Sequence, residues 1–272
     1  PAIGLEKILS VQDLTVHYKP KKQFFGTKPA ITTAVDQVSF DVWQNEIVGI
    51  VGESGSGKTT LGRAILQLVK PSAGKIILNG TELNKLSAAG LRKIRKNIQI
   101  VFQDPFGSLN PRLSIGEAIM EPLEVQHLYP GKKERKEKAI SLLQQVQLPA
   151  DIFNRYPHQF SGGQRQRICI ARALASDPSF LVFDESVSAL DVSVQAHVIN
   201  LINELRQSGK FTAIFISHDL SVVHYLCDRI LVMKQGMIVE SGTADEVYHH
   251  PRDTYTRELI AAIAGKNMQG TQ

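Results

Sequence analysis

One run, Gly52-Glu53-Ser54-Gly55-Ser56-Gly57-Lys58-Thr59, constrains this chain more than any other stretch. Before it stands Glu46 to Val51, a short, β-branched and almost wholly apolar segment. After it comes a segment from about Lys58 to Val69 with Leu61, Ala64, Ile65 and Leu68 on one helical face. A continuous apolar run of that length is what a strand buried on both faces looks like. Strand, glycine-rich turn and helix in this order predict an α/β fold. The run matches the phosphate-loop pattern G-x-x-x-x-G-K-[ST] in full. Its glycines let backbone wrap close to a phosphate with successive N–H groups aimed inward. The helix start adds partial positive charge. Lys58 is expected to reach the β- and γ-phosphates of a nucleotide, and the Thr59 hydroxyl to ligate Mg²⁺. A dinucleotide-binding fingerprint fits poorly, because Thr60 stands where that pattern needs Gly.

At 272 residues the chain has room for one large domain, or one with a smaller appendage. Hydrophobic residues at 43% and charged residues at 21% exclude disorder and collagen-like repeats. No apolar run nears the roughly 20 residues a membrane-spanning helix needs, and no leader pattern opens the chain. A cytoplasmic location is therefore expected. Lys and Arg exceed Asp and Glu by five. That mild excess suits an anionic ligand or membrane face, and nucleic acid is not expected as a partner. Cys169 and Cys227 lie far apart in apolar surroundings and read as small core residues. The chain begins at Pro1 rather than Met, which leaves processing, trimming or excision from a longer polypeptide open.

Along the chain, Ile8 to His17 reads as an edge strand, Lys19 to Thr33 as an exposed basic loop, and Ala34 to Val42 as the returning strand. Ile76 to Leu78 and Ile98 to Phe102 are further strand candidates. Asp104 to Phe160 turns polar and helical, with Ile115, Ile119 and Leu123 at four-residue spacing. It reads as a helical subdomain inserted into an α/β core. The rhythm then resumes with strands at Phe180 to Phe183 and Thr212 to Ile216, and helices at Val194 to Leu205 and Asp219 to Leu226. A hairpin about Gln235-Gly236 and a helical tail over Tyr255 to Ala264 close the chain.

Phe180-Leu181-Val182-Phe183 runs into two acids, Asp184 and Glu185. Asp184 is placed to hold Mg²⁺ through water, and Glu185 to orient or deprotonate an attacking water. Ser161-Gly162-Gly163-Gln164 opens a helix that runs through Ile170, Ala173 and Leu174. Ser161 is a good N-cap, and the two glycines permit close backbone approach to an anion. One phosphate loop is already present, so this second phosphate-facing helix start suggests service to another subunit's nucleotide.

Phe160 with Ser161 to Gln164, the phosphate loop about a hundred residues upstream and Asp184-Glu185 just downstream together resemble the ATP-binding-cassette (ABC) ATPases. The resemblance covers nearly the whole chain, in order. It implies a P-loop NTPase core with an N-terminal antiparallel β subdomain and an inserted α-helical subdomain. A single domain then spans 1–272: core over 1–103 and 161–245, helical subdomain over 104–160, helical tail over 246–272. It implies that Ser161, Gly162, Gly163 and Gln164 form the signature loop that closes on ATP held by a partner subunit. Gln103 matches the Mg²⁺-sensing glutamine, Asp191 lies in a loop that contacts the opposite subunit, and His218 matches the switch histidine on the γ-phosphate. Tyr18 stands where the family stacks an aromatic ring on adenine, and Thr60 joins residues 52–59 around ATP. Mg²⁺ falls to Thr59, Gln103 and Asp184, and catalysis to Glu185, His218 and Lys58. Two departures are visible: Phe160 replaces the usual Leu, and Ser186 the usual Pro after the catalytic Glu.

Within the family, Gln103-Asp104-Pro105-Phe106-Gly107-Ser108-Leu109-Asn110-Pro111-Arg112 is similar to the stretch typical of oligopeptide, dipeptide and nickel importer ATPases. Ser188 to Gln195, and the tail with His250-Pro251 and Tyr255-Thr256-Arg257, point the same way. The resemblance implies an ATP-hydrolysing, peripheral subunit on the cytoplasmic face of the cell membrane. Its partners would be permease subunits, a second cassette of the same or a related chain and, indirectly, a solute-binding protein. A non-transport ABC ATPase, such as a component of a phosphonate-degrading complex, is the alternative.

Overall fold

The computed structural model describes residues 6–18, 31–208 and 211–269. Most of the expected basic loop, residues 19–30, lies outside these. In chain order the first elements are β1 (Lys7–Tyr18), β2 (Thr32–Trp43), β3 (Ile47–Val51), α1 (Lys58–Ile65), β4 (Ala73–Leu78) and β5 (Thr81–Glu82). Next come α2 (Ala88–Ile94), β6 (Ile98–Val101), α3 (Pro105–Ser108), α4 (Ile115–Val125), α5 (Lys132–Gln145), α6 (Gly162–Leu174), β7 (Phe180–Asp184) and α7 (Val192–Gln207). The chain closes with β8 (Thr212–Ile216), α8 (Leu220–Leu226), β9 (Arg229–Lys234), β10 (Met237–Thr243), α9 (Ala244–His249) and α10 (Thr254–Gln269). Two compact units emerge, one of residues 1–86 with 214–272, the other of residues 87–213.

The first unit carries an antiparallel sheet in the order β2-β1-β4-β5. β1 is therefore an interior strand, paired on one side with β2 and on the other with β4. The expectation of an edge strand was wrong. Alternating hydrophobicity reports which face of a strand is buried, whereas its neighbours are set by distant segments. Beside this sheet β3 pairs in parallel with β9, whose antiparallel hairpin with β10 turns at Gln235 and Gly236. Both residues take positive φ, 49° and 85°, which suits the right-handed twist of the flanking strands. All five residues of β3 are buried, as its unbroken apolar run predicts.

Helix α1 ends at Ile65, short of the expected Val69. Gln67 turns the chain at φ 55°, and the N–H groups of Leu68 and Val69 both donate to the Arg63 carbonyl. The helix end is thus satisfied by a left-handed closing turn. Leu61, Ala64 and Ile65 are buried as expected, but Leu68 is 51% exposed.

In the second unit β6 and β7 pair in parallel, with Val101 opposite Phe183. The segment expected to be helical forms α3, α4, α5 and two 3₁₀ turns, at Ala150–Asn154 and Pro157–Gln159. Ile115, Ile119 and Leu123 are all fully buried along α4. A reciprocal cap starts that helix: Ser114 Oγ accepts the Glu117 N–H while the Glu117 carboxylate accepts the Ser114 N–H. Cys169 and Cys227 are both buried in the core and form no disulfide.

Candidate functional site

Residues 52–57 link the end of β3 to the start of α1 by a path that needs glycine. Gly52, Gly55 and Gly57 take φ of 152°, 83° and 104°. A Cβ on Gly57 would stand 2.1 Å from the Ala34 carbonyl oxygen, so both its backbone angle and its surroundings exclude a side chain. Gly57 also occupies the N-cap of α1, and no side chain caps that start. Lys58 is only 4% exposed, and its ammonium donates to the carbonyls of Gly52 and Glu53, both at 2.8 Å. A buried cation is thereby held by the loop's own backbone carbonyls.

Two further expected residues lie in the same unit. Tyr18 ends β1, and its hydroxyl stands 3.4 Å from Thr60 Oγ1, so the aromatic ring is anchored beside the first turn of α1. Strand β8 neighbours β3, and the Ser217 N–H donates to the Ile50 carbonyl at 3.1 Å. His218 follows directly and is exposed, so it emerges at the same end of the sheet as the glycine loop. Asp219 caps α8 by accepting the Ser221 N–H at 2.9 Å, which fixes the chain just after His218.

The second unit carries the two acids. Asp184 ends β7 with 4% exposure. Glu185 is half-buried at φ 48°, a left-handed conformation that a long side chain adopts only under constraint. The constraint is the turn that follows. The Glu185 carbonyl accepts from the Ser188 N–H at 3.1 Å and from the Ser188 hydroxyl at 2.8 Å. Gln103 Nε2 donates in turn to Ser188 Oγ at 3.3 Å. Ser186, where the family usually has Pro, is 1% exposed, and its hydroxyl finds no hydrogen-bond partner among the described residues.

Ser161 caps α6 reciprocally: its hydroxyl accepts the Gln164 N–H at 3.3 Å, and the Gln164 side chain accepts the Ser161 N–H at 3.0 Å. The two glycines between them differ in purpose. A Cβ on Gly163 would lie 2.2 Å from Val194 Cγ1 of α7, whereas one on Gly162 would reach only Leu190 Cδ2 at 3.4 Å. Gly163 is therefore required by helix packing, and Gly162 presents the open backbone. Phe160 is buried beneath the Arg155 guanidinium, 4.7 Å from its ring centre, so its replacement of Leu keeps the site apolar. Asp191 precedes α7 as an exposed N-cap whose side chain makes no capping bond.

Sequence reasoning overlooked three features. Ser188 reads in the sequence as part of the loop through Asp191 and of the subfamily stretch, with no sign of its bonds to the Glu185 carbonyl. The Arg165 guanidinium lies 3.9 Å over the ring of exposed Phe106. Tyr255, in the tail, accepts a hydrogen bond from the Glu53 N–H of the glycine loop at 2.9 Å. Away from the loop, His224, Asp245 and His249 bring ligand-type atoms within 4.8 Å of one another. His224 already pairs with Asp245 at 2.9 Å and stacks on Tyr248 at 4.2 Å, contacts that pin α9 to α8.

The profile of a family described as ABC transporter matches residues 35–188. The chain is 47% identical to the oligopeptide transport ATP-binding protein OppF of Escherichia coli K12, over 96% of this chain and 78% of that protein. It is 52% identical to the OppF of Streptococcus mutans, over 85% of this chain and 75% of that protein. Among solved structures, a dimeric ATP-binding cassette in a post-hydrolysis state with ADP and Pi superposes with TM-score 0.75. That match is 31% identical and covers 87% of this chain and 99% of that one. The cbiO1 protein of Clostridium perfringens, part of an ABC transporter complex, matches with TM-score 0.77 at 25% identity, over 97% of this chain and 99% of that one.

Proposed function

The chain belongs to the ABC transporter family, and on that premise we propose that it is the ATP-hydrolysing subunit of an importer for peptides. The observation that carries this reading is the buried Lys58 ammonium, held by loop carbonyls at the start of an α-helix that no side chain caps. The likeness to two oligopeptide transport ATP-binding proteins supports peptides as the solute. It also disfavours the phosphonate-degrading alternative.

The glycine-loop amides and the Lys58 ammonium bind the phosphate chain of ATP and offset its negative charge. Tyr18 stacks on the adenine, with Gly52 to Thr60 around the phosphates. Thr59, Gln103 and Asp184 are the residues that would hold Mg²⁺. Two carboxylate or amide oxygens and a hydroxyl suit that hard cation, which would offset the negative charge of the nucleotide's phosphates. Glu185 holds the attacking water and takes up its proton as the bond to the γ-phosphorus forms. His218 donates to the transferring phosphoryl oxygens, leaving ADP and inorganic phosphate as products. Ser161 to Gln164 and Asp191 serve the nucleotide of a second cassette, so that two ATP molecules close the pair and hydrolysis reopens it.

No helix among the described residues is long and apolar enough to cross a membrane. In this reading separate permease subunits supply the passage, a solute-binding protein delivers the peptide, and this chain works on the cytoplasmic face. The test is purification of the native complex, identification of its subunits, and measurement of ATP hydrolysis with and without peptide. A permease, with hydrolysis stimulated by peptide-loaded binding protein, is the expected result. Lyase-type enzymes in place of permeases would overturn it.

A further inference from the structure

The tail of the chain was singled out by its sequence, His250-Pro251 followed by Tyr255-Thr256, yet nothing in ATP hydrolysis as described uses it. Its start is held firmly. The Glu240 carboxylate accepts the N–H groups of Arg252 and Asp253 at 2.8 and 3.1 Å, and the Asp253 carboxylate accepts the Tyr255 N–H at 2.8 Å. Tyr255 is 4% exposed, with the Lys234 ammonium 4.5 Å over its ring. Burial pushes the phenol's pKa up, so the hydroxyl stays protonated and neutral at neutral pH.

That hydroxyl accepts the N–H of Glu53 at 2.9 Å. The carbonyl of the same peptide unit, that of Gly52, accepts from the Lys58 ammonium at 2.8 Å. The N–H and C=O of a planar trans peptide point in opposite directions, so the two bonds fix one plane from both ends. Rotation of that plane would break both together and swing the carbonyl away from Lys58. Gly52 itself offers little resistance to such rotation, because glycine is the most permissive backbone residue.

We propose that Tyr255 is a positioning residue for nucleotide binding, its hydroxyl setting the Gly52–Glu53 peptide and through it the Lys58 ammonium. This rests on the reading of residues 52–60 as the ATP-binding loop. It assigns the tail helix a part in ATP binding that reaches the loop from 202 residues away in sequence.

The experiment is titration of MgATP into the full chain by calorimetry, comparing wild type with Tyr255→Phe and Lys234→Met. Tyr255→Phe removes only the hydroxyl, and Lys234→Met removes the cation from the ring while leaving the hydroxyl in place. Tyr255→Phe should weaken MgATP binding about three- to tenfold, the worth of one neutral hydrogen bond. KM for ATP should rise in proportion while kcat stays within about twofold, the split expected when an interaction is shared by ground and transition states. Lys234→Met should bind as wild type does. Wild-type affinity in Tyr255→Phe, or an equal loss in both variants, would overturn the proposal. A wild-type chain that fails to bind MgATP would overturn the ATPase reading with it, a result distinct from a silent Tyr255→Phe.

Discussion

Gln103 Nε2 donates to Ser188 Oγ at 3.3 Å, and that hydroxyl donates onward to the carbonyl of Glu185 at 2.8 Å. A glutamine two residues past β6 is thus wired to the backbone of the glutamate that directly follows β7. The wire meets Glu185 where its backbone is held at φ 48°. A strained conformation persists only when its surroundings over-determine it, and Ser188 supplies two of the bonds that do so.

Ser188→Ala should therefore relax the turn without touching nucleotide contacts. Hydrolysis should fall about three- to tenfold, the loss of roughly one hydrogen bond's worth of positioning, while the affinity for MgATP is retained. Gln103→Ala should cost more, because it also removes a proposed Mg²⁺ ligand, but the double variant should lose less than the two single losses combined, since both cut the same chain of bonds. Steady-state kinetics on the two single variants and the double variant measure this. Fully additive losses would show that the bonds from Gln103 through Ser188 to Glu185 carry no positioning.

Glu185→Gln keeps the shape and removes the base. Turnover should drop by about 10²- to 10⁴-fold with ATP binding intact, the range for loss of a general base. Single-turnover hydrolysis beside equilibrium binding separates the two effects. Near-normal turnover would remove Glu185 from the role assigned to it.

The chemistry-bearing runs were legible in the sequence because each demands residue types no packing argument would choose: glycines flanking a lysine, two acids after an apolar strand, serine and glutamine around two glycines. What stayed hidden was long-range. β1 pairs with β4, whose residues lie more than fifty positions on, and the Tyr255 hydroxyl meets Glu53 across most of the chain. Neither leaves a local pattern, since face periodicity says nothing about neighbours. The left-handed Glu185 was invisible for a related reason: its conformation is imposed by Ser188 and runs against its own propensity. The early end of α1 was missed because Leu68 keeps the helical spacing although the chain has already turned at Gln67.

Gly163→Ala places a methyl 2.2 Å from Val194 Cγ1. Valine is stiff about χ1, so α6 or α7 must shift. The expected cost is about 1–3 kcal/mol, as for overpacking elsewhere. Thermal unfolding should register it, and Val194→Ala in the same chain should restore most of the loss. An unchanged midpoint for Gly163→Ala alone would show that the helices yield freely there.

Cys169 is 7% exposed, and burial pushes its thiol up to about 12. At pH 8 only about one thiol in 10⁴ would be thiolate, the reactive form. Cys227 is buried as well. Iodoacetamide at pH 8 should therefore leave both cysteines unmodified in the native protein and label both in guanidinium chloride. Mass spectrometry of the native digest checks it, and rapid native labelling of Cys169 would contradict its place in the core.

Ser161 does two things, and a single substitution confuses them. Its hydroxyl caps α6 through the Gln164 N–H, and by the proposed function it also faces the nucleotide of a second cassette. Ser161→Ala removes the hydroxyl, and the cap with it, without adding bulk, and should cost about 1 kcal/mol of stability. Ser161→Arg removes the cap and adds bulk where two subunits would close. Measured in a Glu185→Gln background, which holds ATP unhydrolysed, Ser161→Ala should still give an ATP-dependent dimer by size-exclusion chromatography. Ser161→Arg should remain monomeric while binding ATP with unchanged affinity. A dimer formed equally by both variants would mean that α6 begins outside the closing surface, and the assignment of Ser161 to Gln164 would fall with it.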